Sequence, residues 1–201
     1  MSDLFVRIEN VRARVPGWCT AEKAEALAAL VVGYQPKTVL EIGVYGGSSF
    51  FPMAIAMQYI DNEGLVIGCD PWDVNVAISN YPEQANKDWW ANQDLEAIYK
   101  DFMRRRAEWG LEGWTAIERC QSRFLRPPPN LGLLHVDGAH NDEAVKDVVR
   151  FSYSVLKGGF VVLDDLKWSG GGVTRAESRL LQLGFVKLYL LGEGAVYQKV
   201  S

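Results

Sequence analysis

Val39-Leu40-Glu41-Ile42-Gly43-Val44-Tyr45-Gly46-Gly47-Ser48-Ser49 is a short apolar run that breaks into glycines and then into a helix-compatible stretch. The run reads as the first strand of an open α/β sheet, the glycines as its tight turn, and the serines as the entry to the next helix. Glycine belongs at such a turn because the backbone there takes left-handed angles or lies directly against a ligand, where a Cβ would obstruct. Gly43 and Gly46 are the positions expected to do this. Glu41 closes the strand, which directs its carboxylate toward the crevice at the carboxyl edge of the sheet, where ligands of open α/β sheets bind. The spacing excludes two commoner glycine loops: a dinucleotide G-x-G-x-x-G needs glycine where Tyr45 stands, and a G-x-x-x-x-G-K-[ST] loop needs a lysine that is absent. A polyphosphate is therefore not the expected ligand.

The 201 residues, 48% hydrophobic, suit a single domain spanning residues 1–201, with room for an inserted lid. A net charge of -4 gives no electrostatic footprint for nucleic acid. Arg104-Arg105-Arg106 is an isolated run, read as the solvated face of a helix. No stretch approaches the roughly 20 apolar residues of a membrane helix, and no basic segment precedes an apolar one at the N-terminus. A soluble cytoplasmic protein is expected. Cys19, Cys69 and Cys120 lack C-x-x-C spacing and read as buried thiols rather than a disulfide or zinc framework.

Along the chain, Thr20 is placed to N-cap an alanine-rich helix with Ala24, Leu27, Ala28 and Val31 on one face. Before it, Pro16-Gly17-Trp18-Cys19 is either a plain turn with a buried tryptophan or a strap folded over the crevice. Residues 50–60 are apolar nearly all round, as in a helix packed on a sheet, and Asn62-Glu63-Gly64 is expected to end it. Leu65-Val66-Ile67-Gly68-Cys69 is a buried strand closing on Asp70, an acid placed about where the ribose of a nucleoside is held in strand–helix–strand units. Residues 71–114 hold Trp72, Trp89, Trp90, Trp109 and Trp114 and exceed what a simple connection needs. They form either an aromatic lid over a ring-bearing substrate or a helix whose tryptophans pack on the sheet or a second subunit, which leaves room for a homo-oligomer. Residues 88–109 read as helix and 75–86 as loop. Trp72, just past Asp70, is the tryptophan expected to touch an adenosine.

A third strand over residues 115–119 is followed by Cys120-Gln121-Ser122, whose short polar side chains suit an adenine edge. The fourth strand, residues 131–136, ends in Asp137. A helix over 141–156 is expected to stop at Lys157-Gly158-Gly159, and the fifth strand, 160–163, ends in Asp164-Asp165. A helix over 173–183 and two strands around Gly192-Glu193-Gly194 form a C-terminal antiparallel hairpin. Strand ends on one edge of a parallel sheet bring their acids together, and neighbouring carboxylates repel unless a cation joins them. Asp137, Asp164 and Asp165 therefore form an expected site for a hard divalent ion, magnesium first, with manganese or calcium as alternatives. His140 follows at Asp137-Gly138-Ala139-His140 and is the expected general base, imidazole being competent near neutrality. His135 lies inside its strand and reads as a core histidine.

In this order, Glu41-x-Gly43 with Gly46, Asp70, Asp137-Gly-Ala-His140, Lys157-Gly-Gly159 and Asp164-Asp165 resemble the metal-dependent small-molecule O-methyltransferases of the class I S-adenosylmethionine-dependent superfamily. The likeness is to the branch that methylates sugar hydroxyls of natural products, and it spans about residues 36–165. Catechol-type members differ in carrying a lysine where His140 stands. The resemblance implies a doubly wound, mostly parallel sheet of the Rossmann-like methyltransferase fold, S-adenosylmethionine as cofactor and a small-molecule hydroxyl acceptor. The cofactor-binding set expected from it is Glu41, Gly43, Tyr45, Gly46, Ser48, Asp70, Trp72, Gln121, Ser122 and Asp137. Within this set, Glu41 would organise the methionyl end. A catechol or phenol acceptor, or a cofactor-binding relative without catalysis, are the alternatives.

Overall fold

The computed structural model describes residues 2–61, 63–81 and 83–201. The apolar runs become β1 (Thr38–Ile42), β2 (Leu65–Cys69), β3 (Thr115–Glu118), β4 (Leu131–Val136), β5 (Val155–Leu163), β6 (Phe185–Leu191) and β7 (Gly194–Lys199). They form one sheet in the order β3-β2-β1-β4-β5-β7-β6. The first five strands are parallel, and β7 runs antiparallel between β5 and β6. This is the open, doubly wound sheet with a reversed C-terminal hairpin that the sequence predicts.

Period-two alternation assigns the two faces. Val39, Leu133 and Val162 share a core with α1 (Ser2–Arg12), α2 (Ala21–Tyr34) and α3 (Phe50–Ile60). Leu40, Leu134, Val136, Val161 and Leu163 meet α7 (Asp142–Ser152) and α8 (Gly172–Gln182) on the other face. The first two turns of α3 are apolar all round because they are enclosed all round: Phe50 to Met57 are buried, and Phe50 and Phe51 also pack on Phe102 from the 71–114 segment, whereas Tyr59 in the last turn is exposed. Asp61, in a left-handed conformation, caps α3 through its N–H to Met57 O at 3.2 Å; Asn62, expected to help end the helix, lies outside the described residues.

Several local expectations are corrected. Helix α7 stops at Ser152, and Val155 is already paired with Leu131, so β5 begins where helix was predicted. Lys157-Gly158-Gly159 is a bulge in β5 between the Leu131 and Leu133 pairings, with Gly158 at φ 82°, because the glycines let the strand rejoin its partner in a new register. The 71–114 segment holds three helices, α4 (Val74–Ser79), α5 (Gln84–Ala91) and α6 (Leu95–Glu108). The first falls in the expected loop, where Asp73 caps it by accepting from the Asn75 and Val76 N–H groups; position 82 of that loop lies outside the described residues. Asp94 caps α6 and so splits the long helix predicted over 88–109. Cys120 is half-buried rather than buried, its sulfur 3.9 Å from that of Cys69. Of the three arginines read as a solvated helix face, Arg104 and Arg105 pair with Asp101 and Glu108, but Arg106 turns inward and donates to Thr115 Oγ1 at 2.6 Å and Thr115 O at 2.8 Å, tying α6 to the start of β3. Among the described residues no helix is long and apolar enough to cross a membrane.

Candidate active site

Strands β1 and β4 are neighbours from which the chain departs in opposite directions, and the ends of such a pair open a crevice. Here the ladder runs one residue further on each strand. Asp70 N–H donates to Glu118 O at 3.2 Å, Asp137 N–H to Ile42 O at 2.8 Å, and Asp164 N–H to Val136 O at 3.1 Å. The three acids thus start from fixed backbone at the lip of a cavity of about 1040 Å³. That volume is at the upper end of the roughly 300–1,000 Å³ typical of small-molecule sites. Gly43, at φ 88°, passes so close to the next loop that a Cβ would lie 2.2 Å from Asp137 O. The second left-handed glycine is Gly47, at φ 90°, not Gly46. Gly46 does not line the cavity; it makes room for the 16–19 strap, since a Cβ there would meet Pro16 O at 2.2 Å.

At one end of the cavity the Asp70 carboxylate accepts three backbone bonds, from Val44 and Tyr45 at 2.9 Å and from Trp72 at 2.7 Å. Burial raises its pKa, and those three N–H groups oppose the rise. Asp70 therefore ties the glycine loop to the end of β2, and Tyr45 and Trp72 take left-handed angles, φ 48° and 44°, to reach it. Trp72 does not reach the cavity, contrary to expectation. Its indole N–H is spent on Tyr45 O at 2.8 Å and its ring packs on Tyr99 and Phe102, because the left-handed turn swings it into the core. Gln121 and Ser122 do line the cavity, on a loop that Arg150 grips through the carbonyls of Ser122, Arg123 and Leu125.

Facing that loop is Asp147 of α7, a lining residue the sequence reading missed. Burial pushes its carboxyl up to about 6, against the pull of Ser122 and Arg150. A raised carboxyl contributes stability that is complete below its unfolded pKa and is lost as pH rises through about 6. Asp147→Asn, which keeps the shape, should therefore raise stability at pH 7.5 by on the order of 2 kcal/mol and change it little at pH 4, as read by urea unfolding at both values. Equal effects at both pH values would contradict the assignment.

At the centre the sequence expectation for Glu41 fails. Strand alternation puts its side chain on the same face as Val39, under α3, rather than off the strand end. It is 0% exposed and does not line the cavity; Oε1 accepts from Ser49 Oγ at 2.5 Å and lies 2.7 Å from His135 Nδ1. His135 is the core histidine expected, and it holds Glu41 across the β1–β4 pairing.

The predicted acidic triad is also rearranged. Asp164 is taken by Lys23 of α2, whose ammonium sits on Oδ2, while Oδ1 accepts the Asp165 N–H at 3.0 Å. Asp165 turns the other way at φ 52°, and its Oδ2 lies 2.9 Å from His140 Nε2. Consecutive residues at a strand end diverge, so Asp164 and Asp165 do not close on one point. Among the described residues two groups converge within 4.8 Å: His135, Asp137 and Asp164, and Asp137, His140 and Asp165. Asp137 belongs to both. Its pKa is held well above the usual carboxylate range by burial first and then by Asp164 and Asp165, with Lys23 opposing. A carboxylate so crowded fits a cation, and the outer group, two oxygen donors and one imidazole, is a donor set that accepts a divalent ion.

His140 lies between these acids and an aromatic wall. Its ring stacks on Trp168 at 4.6 Å, Nδ1 is 3.4 Å from the Tyr81 hydroxyl, and Nε2 has no aligned hydrogen bond among the described residues. The wall continues through Tyr81 to Trp90 and on to Tyr45 and Trp18. Trp18 is 65% exposed and stacks on Tyr45 at 5.3 Å, so the 16–19 segment is the strap and not a turn around a buried tryptophan. The tryptophans of the 71–114 segment divide: Trp89 and Trp90 line the cavity, whereas Trp72 and Trp109 pack inward. Tyr45, Ser48, Gly43, Asp137, Asp164, Asp165 and His140 all line the cavity. Lys23 was missed although a signal existed: it is a charge on the buried stripe of an alanine-rich helix, one turn before Leu27.

A strand order of 3-2-1-4-5-7-6 with an acid-rimmed crevice at its switch point defines an α/β enzyme fold that binds a small ligand at the carboxyl edge. A family model described as "Methyltransferase domain" matches residues 40–166, well over half of the chain, and the protein belongs to that family. No curated protein matches the sequence. Solved structures share the fold at low identity. The O-methyltransferase NovP aligns at TM-score 0.72 and 14% identity, covering 92% of this chain and 84% of its own. SAH-bound PaMTH1 from Podospora anserina aligns at 0.69 and 15%, covering 100% and 89%. TomG from Streptomyces achromogenes, an O-methyltransferase involved in tomaymycin synthesis and solved with SAM, aligns at 0.64 and 14%, covering 90% and 81%.

Proposed function

We propose that the protein transfers the methyl group of S-adenosylmethionine to a hydroxyl of a small molecule, a sugar or another natural product, with a divalent ion at Asp137. The observation that carries this is Asp137 itself, crowded by two further acids at the mouth of a nucleoside-sized cavity and flanked by a histidine. The Gly43 loop and Asp70 would hold the nucleoside, with Gln121 and Ser122 at the adenine. Tyr45 and Ser48 would line the remainder of the donor site. Asp137 and Asp165 would hold the ion, with Asp164 kept outside the set by Lys23 and His140 left free beside it. The ion would supply charge stabilisation to an acceptor oxygen. His140 Nε2 points at the same place and takes the acceptor's proton as the oxygen–methyl bond forms and the carbon–sulfur bond breaks. Trp89, Trp90, Tyr81 and Trp168 would face the acceptor and favour one bearing a ring, which also admits a phenol.

Titration calorimetry with S-adenosylhomocysteine should give one-site binding, and NAD should give none. An acceptor screen with labelled S-adenosylmethionine should then show turnover that EDTA removes and magnesium restores, while homocysteine-product binding survives EDTA. Heat with NAD but not with S-adenosylhomocysteine would overturn the donor assignment; turnover indifferent to EDTA would overturn the metal.

A further inference from the structure

Two of the three cysteines meet beside the crevice without a part in the chemistry above. Cys69 is the last residue of β2 and Cys120 lies two residues past β3, and their sulfurs are 3.9 Å apart. A shared carbonyl brings them together. Strands β2 and β3 are parallel neighbours with Cys69 opposite Glu118, and Glu118 O accepts both the Asp70 N–H at 3.2 Å and the Cys120 N–H at 2.9 Å. The second of these bonds closes a three-residue turn, which doubles the chain back toward β2 instead of letting β3 run on. The Cys69 thiol then donates to Cys120 O at 3.4 Å.

The pair stands between two cavities. Cys69 lines the large one with Asp70, Gln121 and Ser122; it is 1% exposed, and burial raises the pKa of its thiol. Cys120 is half-buried and lines a second cavity of about 380 Å³ with Glu118, Phe124 and Arg126. A reagent from solvent therefore meets Cys120 first, and Cys69 is shielded behind it.

We propose that Cys69 and Cys120 form a site of reversible thiol oxidation, closed to a disulfide by a low-molecular-weight disulfide, and that closure weakens binding of the methyl donor by the neighbouring loop. The second half rests on the donor assigned above. The Cys120 sulfur attacks one sulfur of the small disulfide, which forms a mixed disulfide and releases one small thiol. The Cys69 sulfur then attacks the Cys120 sulfur, and the second small thiol leaves. The two protein thiol protons end on the two small thiols, and the two electrons lost by the protein reduce the small disulfide. Bonded sulfurs lie about 2.05 Å apart, so the pair must approach by about 2 Å. Asp70, next to Cys69, is anchored by three backbone bonds, and Arg150 anchors the carbonyls of Ser122, Arg123 and Leu125. The movement thus falls on Cys120 and Gln121, between the two anchors, and Gln121 lines the donor cavity.

The test compares wild type, Cys120→Ser and Cys69→Ala in dithiothreitol and in oxidised glutathione. Oxidised wild type should lose two of its three thiols, the buried Cys19 remaining. It should hold no glutathione by intact mass, and its non-reducing tryptic digest should contain a peptide pair joining Cys69 to Cys120. Cys69→Ala should stop at a glutathione adduct on Cys120, and Cys120→Ser should keep its thiols. By calorimetry, oxidised wild type should bind S-adenosylhomocysteine about tenfold more weakly than reduced wild type, the worth of one or two hydrogen bonds. Dithiothreitol should restore the affinity, and the oxidant should leave that of Cys120→Ser unchanged. Wild type that keeps three thiols, or that stops at the adduct, overturns the site; a closed disulfide with unchanged affinity overturns its effect on the donor. Reduced wild type that binds no S-adenosylhomocysteine overturns the donor assignment instead, and the thiol count and digest then decide the site. Those two measurements need only the wild type, so a variant that does not fold leaves them standing.

Discussion

Asp137→Asn is expected to lower kcat by about 10³-fold or more and to abolish stimulation by magnesium, because losing several kcal/mol of charge stabilisation at the acceptor oxygen corresponds to such a factor. Asp137 is the residue shared by both convergent groups, so no other side chain can replace it without moving a strand end. The same variant should melt no lower than wild type. The Asp137 carboxylate is pushed up by burial and by Asp164 and Asp165, and a neutral amide of the same shape relieves that repulsion. Activity lost with stability kept separates a role in the reaction from a role in the fold. An Asp137→Asn protein still activated by magnesium, within tenfold of wild type, would place the ion elsewhere.

His140→Ala should lower kcat by roughly 10²- to 10⁴-fold, the usual worth of a general base, and leave S-adenosylhomocysteine binding nearly unchanged. The histidine also stacks on Trp168, so His140→Gln is the control that keeps bulk and polarity but cannot take the proton. Both variants should be equally slow if proton transfer is the role. An aliphatic hydroxyl gives up its proton far less readily than a phenol, so the size of the effect also reports on the acceptor. Near wild-type kcat in His140→Ala would show that the ion alone suffices and would favour a phenolic acceptor. A loss of magnesium affinity in His140→Ala, measured directly by calorimetry, would make the histidine chiefly a ligand, as its place in the outer group allows.

Much of this molecule is determined by local sequence. An apolar run ending in glycines, Leu65–Cys69 ending on Asp70, and Leu131–Val136 ending on Asp137 each identify a buried parallel strand and its carboxyl end without reference to any other part of the chain. Buried strands and their turns are dictated by short-range sterics and hydrophobicity, and a parallel sheet puts their ends on one edge. That is why Asp137, Asp164, Asp165 and His140 were legible as one neighbourhood. What the sequence could not determine is direction and partner. Glu41 and Asp70 both read as strand-closing acids, yet β1 runs on to Ile42, so Glu41 lies inside the strand, two residues short of the level of Asp70, and turns under α3 to His135 while Asp70, one residue past β2, rims the cavity. Asp164 and Asp165 are adjacent and look equivalent, but a left-handed Asp165 parts them, and a lysine 141 positions earlier claims the first. The αL turns at Tyr45 and Trp72, the strap carrying Trp18 and the inward packing of Trp72 are settled by contacts between segments far apart in the chain. Local pattern fixes where a side chain starts; only the packed sheet and helices, by leaving one direction open and closing the others, decide where its charge ends.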